Sequence, residues 1–247
     1  MTESQGRDSS PPGMADPAQR PPTSLVFLGP PGAGKGTLAK VFQARAGLRH
    51  ISPGDILRQA VRDHTEYGRR ALASMRAGDL VPDEIVDAVI QAALLAAEGG
   101  GGWVLDGYPR TPAQADILGR FLADRGRRLD AVVHFEIRQD ALLRRLTGRR
   151  LCPVCGAIYH VDFRPPAVPG RCDLDGAELV SRRDDAPDTA LHRFRVFREQ
   201  TAPLIEHYRQ RGLLLPVDAE RSPEDVYDAI WESARSRNAR GLPSGLT

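Results

Sequence analysis

Apolar and polar positions alternate between two periods along this chain. Residues 24–28, Ser-Leu-Val-Phe-Leu, form a short apolar run bounded by glycine, which predicts a buried parallel strand. Further strands are expected at Trp103–Leu105, Ala131–Ile137 and Leu213–Val217. Between them the pattern is helical over Lys35–Ala46, Gly54–Arg62, Glu66–Ala77, Asp83–Ala97, Thr111–Asp124 and Gln139–Thr147. Helical patterns resume over Asp188–Arg211 and Pro223–Ser236. Strands alternating with helices imply an α/β fold: a central parallel sheet with helices on both faces. Residues 148–185 interrupt the alternation with cysteines, prolines and glycines, so they read as a small inserted subdomain. The first 22 residues, rich in proline, serine and glycine, read as a disordered leader, and residues 237–247 as a loose tail.

Composition narrows the picture. At 247 residues, 41% apolar and 27% charged, the chain has the make-up of a soluble globular protein with a substantial core. The 34 basic and 32 acidic residues nearly cancel, which argues against non-specific binding to nucleic acid or to a membrane surface. No apolar run is long enough to cross a membrane and the start of the chain has no hydrophobic stretch, so a cytoplasmic protein is expected.

The strongest chemical signal follows the first strand: Gly29-Pro-Pro-Gly32-Ala33-Gly34-Lys35-Gly36-Thr37. Glycines let successive backbone N–H groups turn towards an anion, the next helix N-terminus favours negative charge, and Lys35 reaches the terminal phosphates. Taken alone the segment could be a mere strand–helix corner. The flanking strand and helix supply the context that a phosphate loop requires. The common loop has Ser or Thr directly after the lysine to touch Mg²⁺, whereas here Gly36 stands there. The magnesium is therefore expected to be held through water and phosphate oxygens.

The cysteines Cys152, Cys155 and Cys172 all lie in the insertion, and Cys172-Asp-Leu-Asp175 repeats the knuckle spacing of Cys152-Pro-Val-Cys155. That spacing matches a zinc ribbon with Asp175 as fourth ligand, and four protein ligands would make the ion structural. His160 is a weaker candidate ligand.

The phosphate-loop sequence, Asp106-Gly107-Tyr108-Pro109-Arg110, Leu80-Val81-Pro82-Asp83 and the arginine-bearing segments Gly148-Arg149-Arg150 and Arg182-Arg183-Asp184-Asp185 together resemble the nucleoside monophosphate kinases. The chain looks like a member of the adenylate kinase family of the long-lid bacterial kind, over about Ser24 to Ser236. The resemblance implies a P-loop core (residues 23–51, 82–147 and 186–236), an AMP-binding subdomain (52–81) and a zinc-bearing lid (148–185). It implies Mg-dependent phosphoryl transfer from ATP to AMP, giving two ADP, by a monomer.

By that resemblance ATP would meet Gly32, Ala33, Gly34, Lys35, Gly36, Thr37, Arg145, Arg149, Ile158, Tyr159 and the backbone of Arg221. AMP would meet Pro53, Arg58, Asp79, Leu80, Val81, Gly107, Tyr108, Pro109 and Arg110, with Gln114 on the adenine edge. Arg182 and Arg193 would bridge the transferred phosphate, and Asp106 would orient hydrated Mg²⁺. Lys35, Asp106, Arg110, Arg149, Arg182 and Arg193 would thus carry catalysis, which suits a transition state with charge spread over phosphate oxygens. Pro53 departs from the family's usual threonine and puts the acceptor base in question. Three other readings stay open: a kinase of UMP or CMP, or one using GTP; a nucleotide-hydrolysing P-loop switch; and a zinc-ribbon nucleic-acid binder.

Overall fold

The computed structural model describes residues 24–182 and 185–239. Its centre is a five-stranded parallel sheet of β1 (Ser24–Leu28), β2 (Arg49–Ile51), β3 (Trp103–Asp106), β4 (Ala131–Glu136) and β7 (Leu214–Asp218), in the order β2-β3-β1-β4-β7. Side chains alternate across each strand, so the sheet builds two cores. Leu25, Phe27, Val133 and Phe135 face α1 (Lys35–Ala46), α6 (Gln139–Thr147) and α9 (Pro223–Ala239). Val26, Leu28, Val132 and Leu105 face α4 (Asp83–Leu95), α5 (Pro112–Ala123) and α8 (Pro203–Gln210). Phe27 anchors the first layer edge-to-face, its ring 5.8 Å from Phe42 and 5.2 Å from Phe135. A fully buried phenylalanine of this kind is worth ~3–5 kcal/mol against alanine.

Two pieces leave this frame. α2 (Pro53–Arg62) and α3 (Glu66–Ala77) form a hairpin whose Leu57 and Ala71 share a small core with Ile85 of α4. Their approach is close enough that a Cβ on Gly68 would lie 2.2 Å from the Ala60 carbonyl oxygen. The second piece carries an antiparallel pair, β5 (Arg149–Leu151) and β6 (Ile158–His160), and then the loops bearing Cys172 and Asp175. α7 (Pro187–Val196) leads back to the core.

The expected elements recur, with corrections. β2 was not anticipated: three residues carry no periodicity, and the strand exists because Arg49 and His50 pair with Trp103 and Val104. The helix expected over Asp188–Arg211 is broken by a π-helical turn at Phe197–Thr201, after which Pro203 starts α8 as a first-turn proline. The last helix, expected to end at Ser236, runs on to Ala239. The leader, Arg183, Asp184 and residues 240–247 lie outside the described residues. Among the described residues no helix is long and apolar enough to cross a membrane.

Candidate active site

The phosphate loop leaves the carboxyl end of β1, where ligands bind in parallel sheets. Gly32 (φ 87°) and Gly34 (φ 93°) are left-handed, and Gly34 caps α1 without a side-chain bond, leaving the helix N-terminus open. Lys35 Nζ folds back to donate to the carbonyls of Gly29 at 2.8 Å and Pro30 at 2.9 Å.

Asp106 closes the loop from the end of β3, which the register sets beside Phe27 of β1. A Cβ on Gly36 would lie 3.1 Å from its Oδ2. A side chain on residue 36 would press on this carboxylate, which suits the glycine that follows the lysine. Thr37, one position on, is exposed.

On the neighbouring strand His50 Nε2 lies 3.2 Å from the same Oδ2. Burial raises the Asp106 pKa, but the His50 hydrogen bond and the Lys35 charge outweigh it and hold the group below its ordinary value. Burial draws Lys35 down to about 8; Asp106 opposes the shift, while Arg110, Arg193 and Arg149 add to it.

Around the loop two carboxylates gather four arginines. Asp185, 4% exposed, accepts both fork nitrogens of Arg149, with Nε at 2.7 Å, and Arg193 Nη1 at 3.4 Å. Asp55 lies 2.5 Å from Arg58 Nη2 and 3.9 Å from Arg182 Nη2. Burial pushes the Asp55 pKa up, and the charges of Arg58 and Arg182 bring it below its ordinary value. Arg182 is drawn down to about 10, first by burial and then by repulsion from Arg149 and Arg58. Its buried Nε has no hydrogen-bond partner among the described residues. Arg110 donates through Nε to the Gly107 carbonyl at 2.8 Å, next to a cis Tyr108–Pro109 bond. Lys35, Arg58, Arg110, Arg149, Arg182 and Arg193 outnumber Asp55, Asp106 and Asp185, so the centre is short of negative charge.

The remaining expected residues fall in several places. Arg145 Nη1 lies 3.4 Å from the Ala33 carbonyl. Arg221 has a 52% exposed side chain. Ile158 is half-buried on β6, whereas Tyr159 turns its ring into the cysteine cluster and accepts the Asp173 N–H at 2.8 Å, leaving only its backbone to face a nucleotide. Pro53 occupies the first turn of α2, where its missing N–H breaks no helical bond, and Ser52 supplies the cap.

Asp79 Oδ1 lies 2.6 Å from His192 Nε2, Leu80 is half-buried and Val81 packs against both the α2–α3 core and the sheet core. Tyr108 is buried, its hydroxyl donating to Asp87 at 2.6 Å. Gln114, 1% exposed, is already engaged: its Oε1 accepts the Arg110 N–H at 2.7 Å and its Nε2 donates to Asp83 at 2.7 Å. Sequence reasoning missed His50, Asp55 and Asp185 as site residues. A polar side chain beside the Ser-x-Gly-Asp turn was the available signal for the first two.

In the insertion one ligand atom each from Cys152, Cys155, Cys172 and Asp175 all lie within 4.8 Å of one another. Cys155 and Cys172 sulfurs are 3.5 Å apart, and Cys152 Sγ is 3.3 Å from Asp175 Oδ2. Tetrahedral zinc with ligands at about 2.0–2.3 Å requires separations of this order, so the donor set fits the ion. His160 does not join: its Nδ1 accepts the Asp162 and Phe163 N–H groups at 3.0 and 3.2 Å, and Nε2 lies 3.1 Å from the Arg144 carbonyl.

A family profile described as adenylate kinase matches residues 27–213. The chain is 50% identical over 206 residues to the adenylate kinase of Moorella thermoacetica, covering 83% of this chain and 95% of that one. It is 47% identical over 213 residues to the adenylate kinase of Citrifermentans bemidjiense (86% and 100% covered), and 44% identical over 207 residues to that of Methanothrix thermoacetophila (84% and 96% covered). A phosphate loop shaped by Asp106, a cationic centre and this match along most of the sequence agree: the chain belongs to the adenylate kinase family.

Proposed function

We propose that the chain transfers the terminal phosphoryl group of ATP to AMP, reversibly, giving two ADP. The observation that carries this reading is the cationic centre, in which Arg110, Arg149 and Arg193 all lie within electrostatic reach of Lys35 in the phosphate loop. Phosphoryl transfer through a loose transition state needs positioning and positive charge more than covalent chemistry. The acceptor is a phosphate oxyanion, so no general base is needed.

ATP would lay its phosphates on Gly32–Thr37, with Lys35 leaving the Gly29 and Pro30 carbonyls for the terminal phosphates. Arg145 and the backbones of Ile158, Tyr159 and Arg221 would border the donor nucleoside. AMP would lie between residues 52–81 and the Gly107–Arg110 turn, its phosphate held by Arg58 and Arg110. Gln114 would meet the adenine edge with capacity left after Asp83 and Arg110. Arg149, Arg182 and Arg193 would span the moving phosphoryl group. Closure of residues 148–185 would exclude water as a competing acceptor.

Magnesium bound with ATP would supply charge neutralisation, and Asp106 would orient its water shell. Zinc on Cys152, Cys155, Cys172 and Asp175 would supply cohesion to the lid. Hydrolysis by a P-loop switch is disfavoured by Gly36, which stands where such proteins place a Ser or Thr hydroxyl after the lysine.

The test is ADP formation in a coupled assay, with ATP and Mg²⁺ against AMP, UMP and CMP in turn. AMP should be used far faster than the others. Preference for UMP or CMP would sink the acceptor assignment, and ADP formed without any acceptor would favour hydrolysis.

A further inference from the structure

The loop between β7 and α9 is fastened to the connection between β4 and α6 at two points. The Ala219 N–H donates to the Glu136 carbonyl at 2.9 Å. Next to it Arg138 grips the Glu220 carboxylate with Nε at 2.9 Å, Nη2 at 3.1 Å and its own backbone N–H at 3.4 Å. Within the loop the Glu220 N–H donates to Asp218 Oδ1 at 2.9 Å, and the Arg221 N–H to the Asp218 carbonyl at 3.4 Å.

The acids of this strap act on Arg145. Burial lowers the Arg145 pKa, while Glu220 and Asp218 pull it back, so these acids lie within electrostatic reach of the guanidinium. Arg145 in turn lies against the phosphate loop at Ala33. On the donor-side reading, a nucleoside whose phosphates occupy that loop would be bordered by Arg145 and by the backbone of residues 219–222.

We propose that Arg138 and Glu220 are a positioning pair for the donor nucleoside. The inference rests on the donor-side reading above. Neither residue need touch the nucleotide: the ion pair fixes the distance between the 219–222 backbone and Arg145, and with it the slot that receives the donor base. Peptide groups tell an amino from an oxo substituent on a purine edge only when they are held in place, since a mobile loop re-pairs with either and the ordering cost falls on binding. The side chains of Arg138 and Glu220 are 68% and 33% exposed, so the effect is modest and is screened by salt.

The experiment compares Glu220→Gln, Arg138→Gln and the exchange Arg138→Glu with Glu220→Arg, using ATP or GTP as donor and AMP as acceptor. Each single change should raise KM for ATP by about 2- to 5-fold at low salt and narrow the preference for ATP over GTP. KM for AMP should stay put, and the exchange should recover most of the loss. An unmoved KM for ATP, a parallel rise in both KM values, or an exchange as poor as the single changes would overturn the pair's role. Wild-type protein that forms no ADP from AMP would count against the proposed reaction instead. ATP titration by calorimetry then still reads the pair through a 2- to 5-fold weaker binding, of the order expected for an exposed ion pair.

Discussion

Lys35 loses its proton near pH 8, against an ordinary value of 10.5, because the loop removes it from water among other cations. A lysine depressed in this way binds its proton less well folded than unfolded. It therefore weighs against folding below about pH 8, and that cost fades as the pH rises towards 10.5. Phosphate oxygens reverse the balance by favouring the ammonium form. ATP binding at about pH 8.5 should take up a proton, measured by calorimetry in two buffers of different ionisation enthalpy. At about pH 6.5, where the lysine is already charged, uptake at this group should vanish. Lys35→Met should abolish the uptake and lower kcat/KM by ~10²- to 10³-fold, the usual loss when one charge-stabilising donor is removed. Proton release, or uptake unchanged in the variant, would refute the assignment. The same scale shows the limit of reading a chain. Lys35 and its glycines were legible because one contiguous segment encodes them. His50 was not, because its partner Asp106 lies on another strand and only the register of β2 on β3 joins the two.

Among the elements, the insertion at residues 148–185 is the least able to stand alone. Its buried cluster is Cys152, Tyr159, Cys172 and Leu179. Burying a side chain is worth about 1.5–3 kcal/mol, whereas ordering the backbone costs ~1–2 kcal/mol for every residue fixed. Four side chains cannot offset that for the whole insertion, and a metal held by Cys152, Cys155, Cys172 and Asp175 would supply what is missing. Purified protein should carry about one zinc per chain by elemental analysis. A strong chelator or Cys172→Ala should lower the thermal midpoint by several degrees, while a metal-free protein of equal midpoint would show the cluster to be empty decoration. Long elements were readable from periodicity alone, as α1, α3 and α6 show. The π turn at Phe197–Thr201 was not, since one extra residue per turn leaves the apolar pattern looking continuous on either side.

For the molecule as a whole, the surplus of cations around the phosphate loop makes the empty protein electrostatically uneven. Anions that settle there should stabilise it, and in proportion to charge. At matched ionic strength pyrophosphate should raise the thermal midpoint more than chloride does. Near a hundredfold excess over its dissociation constant the gain is about 2.7 kcal/mol, or roughly 5–10 °C for a chain of this size. Replacement of Arg149 and Arg193 by glutamine should remove most of that difference. An equal response to both salts would show that the cations act separately and form no common seat. The global arrangement was the most readable level of all, because alternation of strand and helix patterns dictates a parallel sheet and the phosphate loop marks its active edge.

Asp185, buried against Arg149 and Arg193, has a further consequence for the end of the catalytic cycle. A site made only of cations would cling to its products, since each departing phosphate would leave bare guanidinium groups facing one another. On the reading proposed above, the resident carboxylate that holds Arg149 and Arg193 would take them back as ADP leaves. The protein would thus compete with its own product for the same hands, and a grip strong enough for chemistry would be kept from becoming a trap.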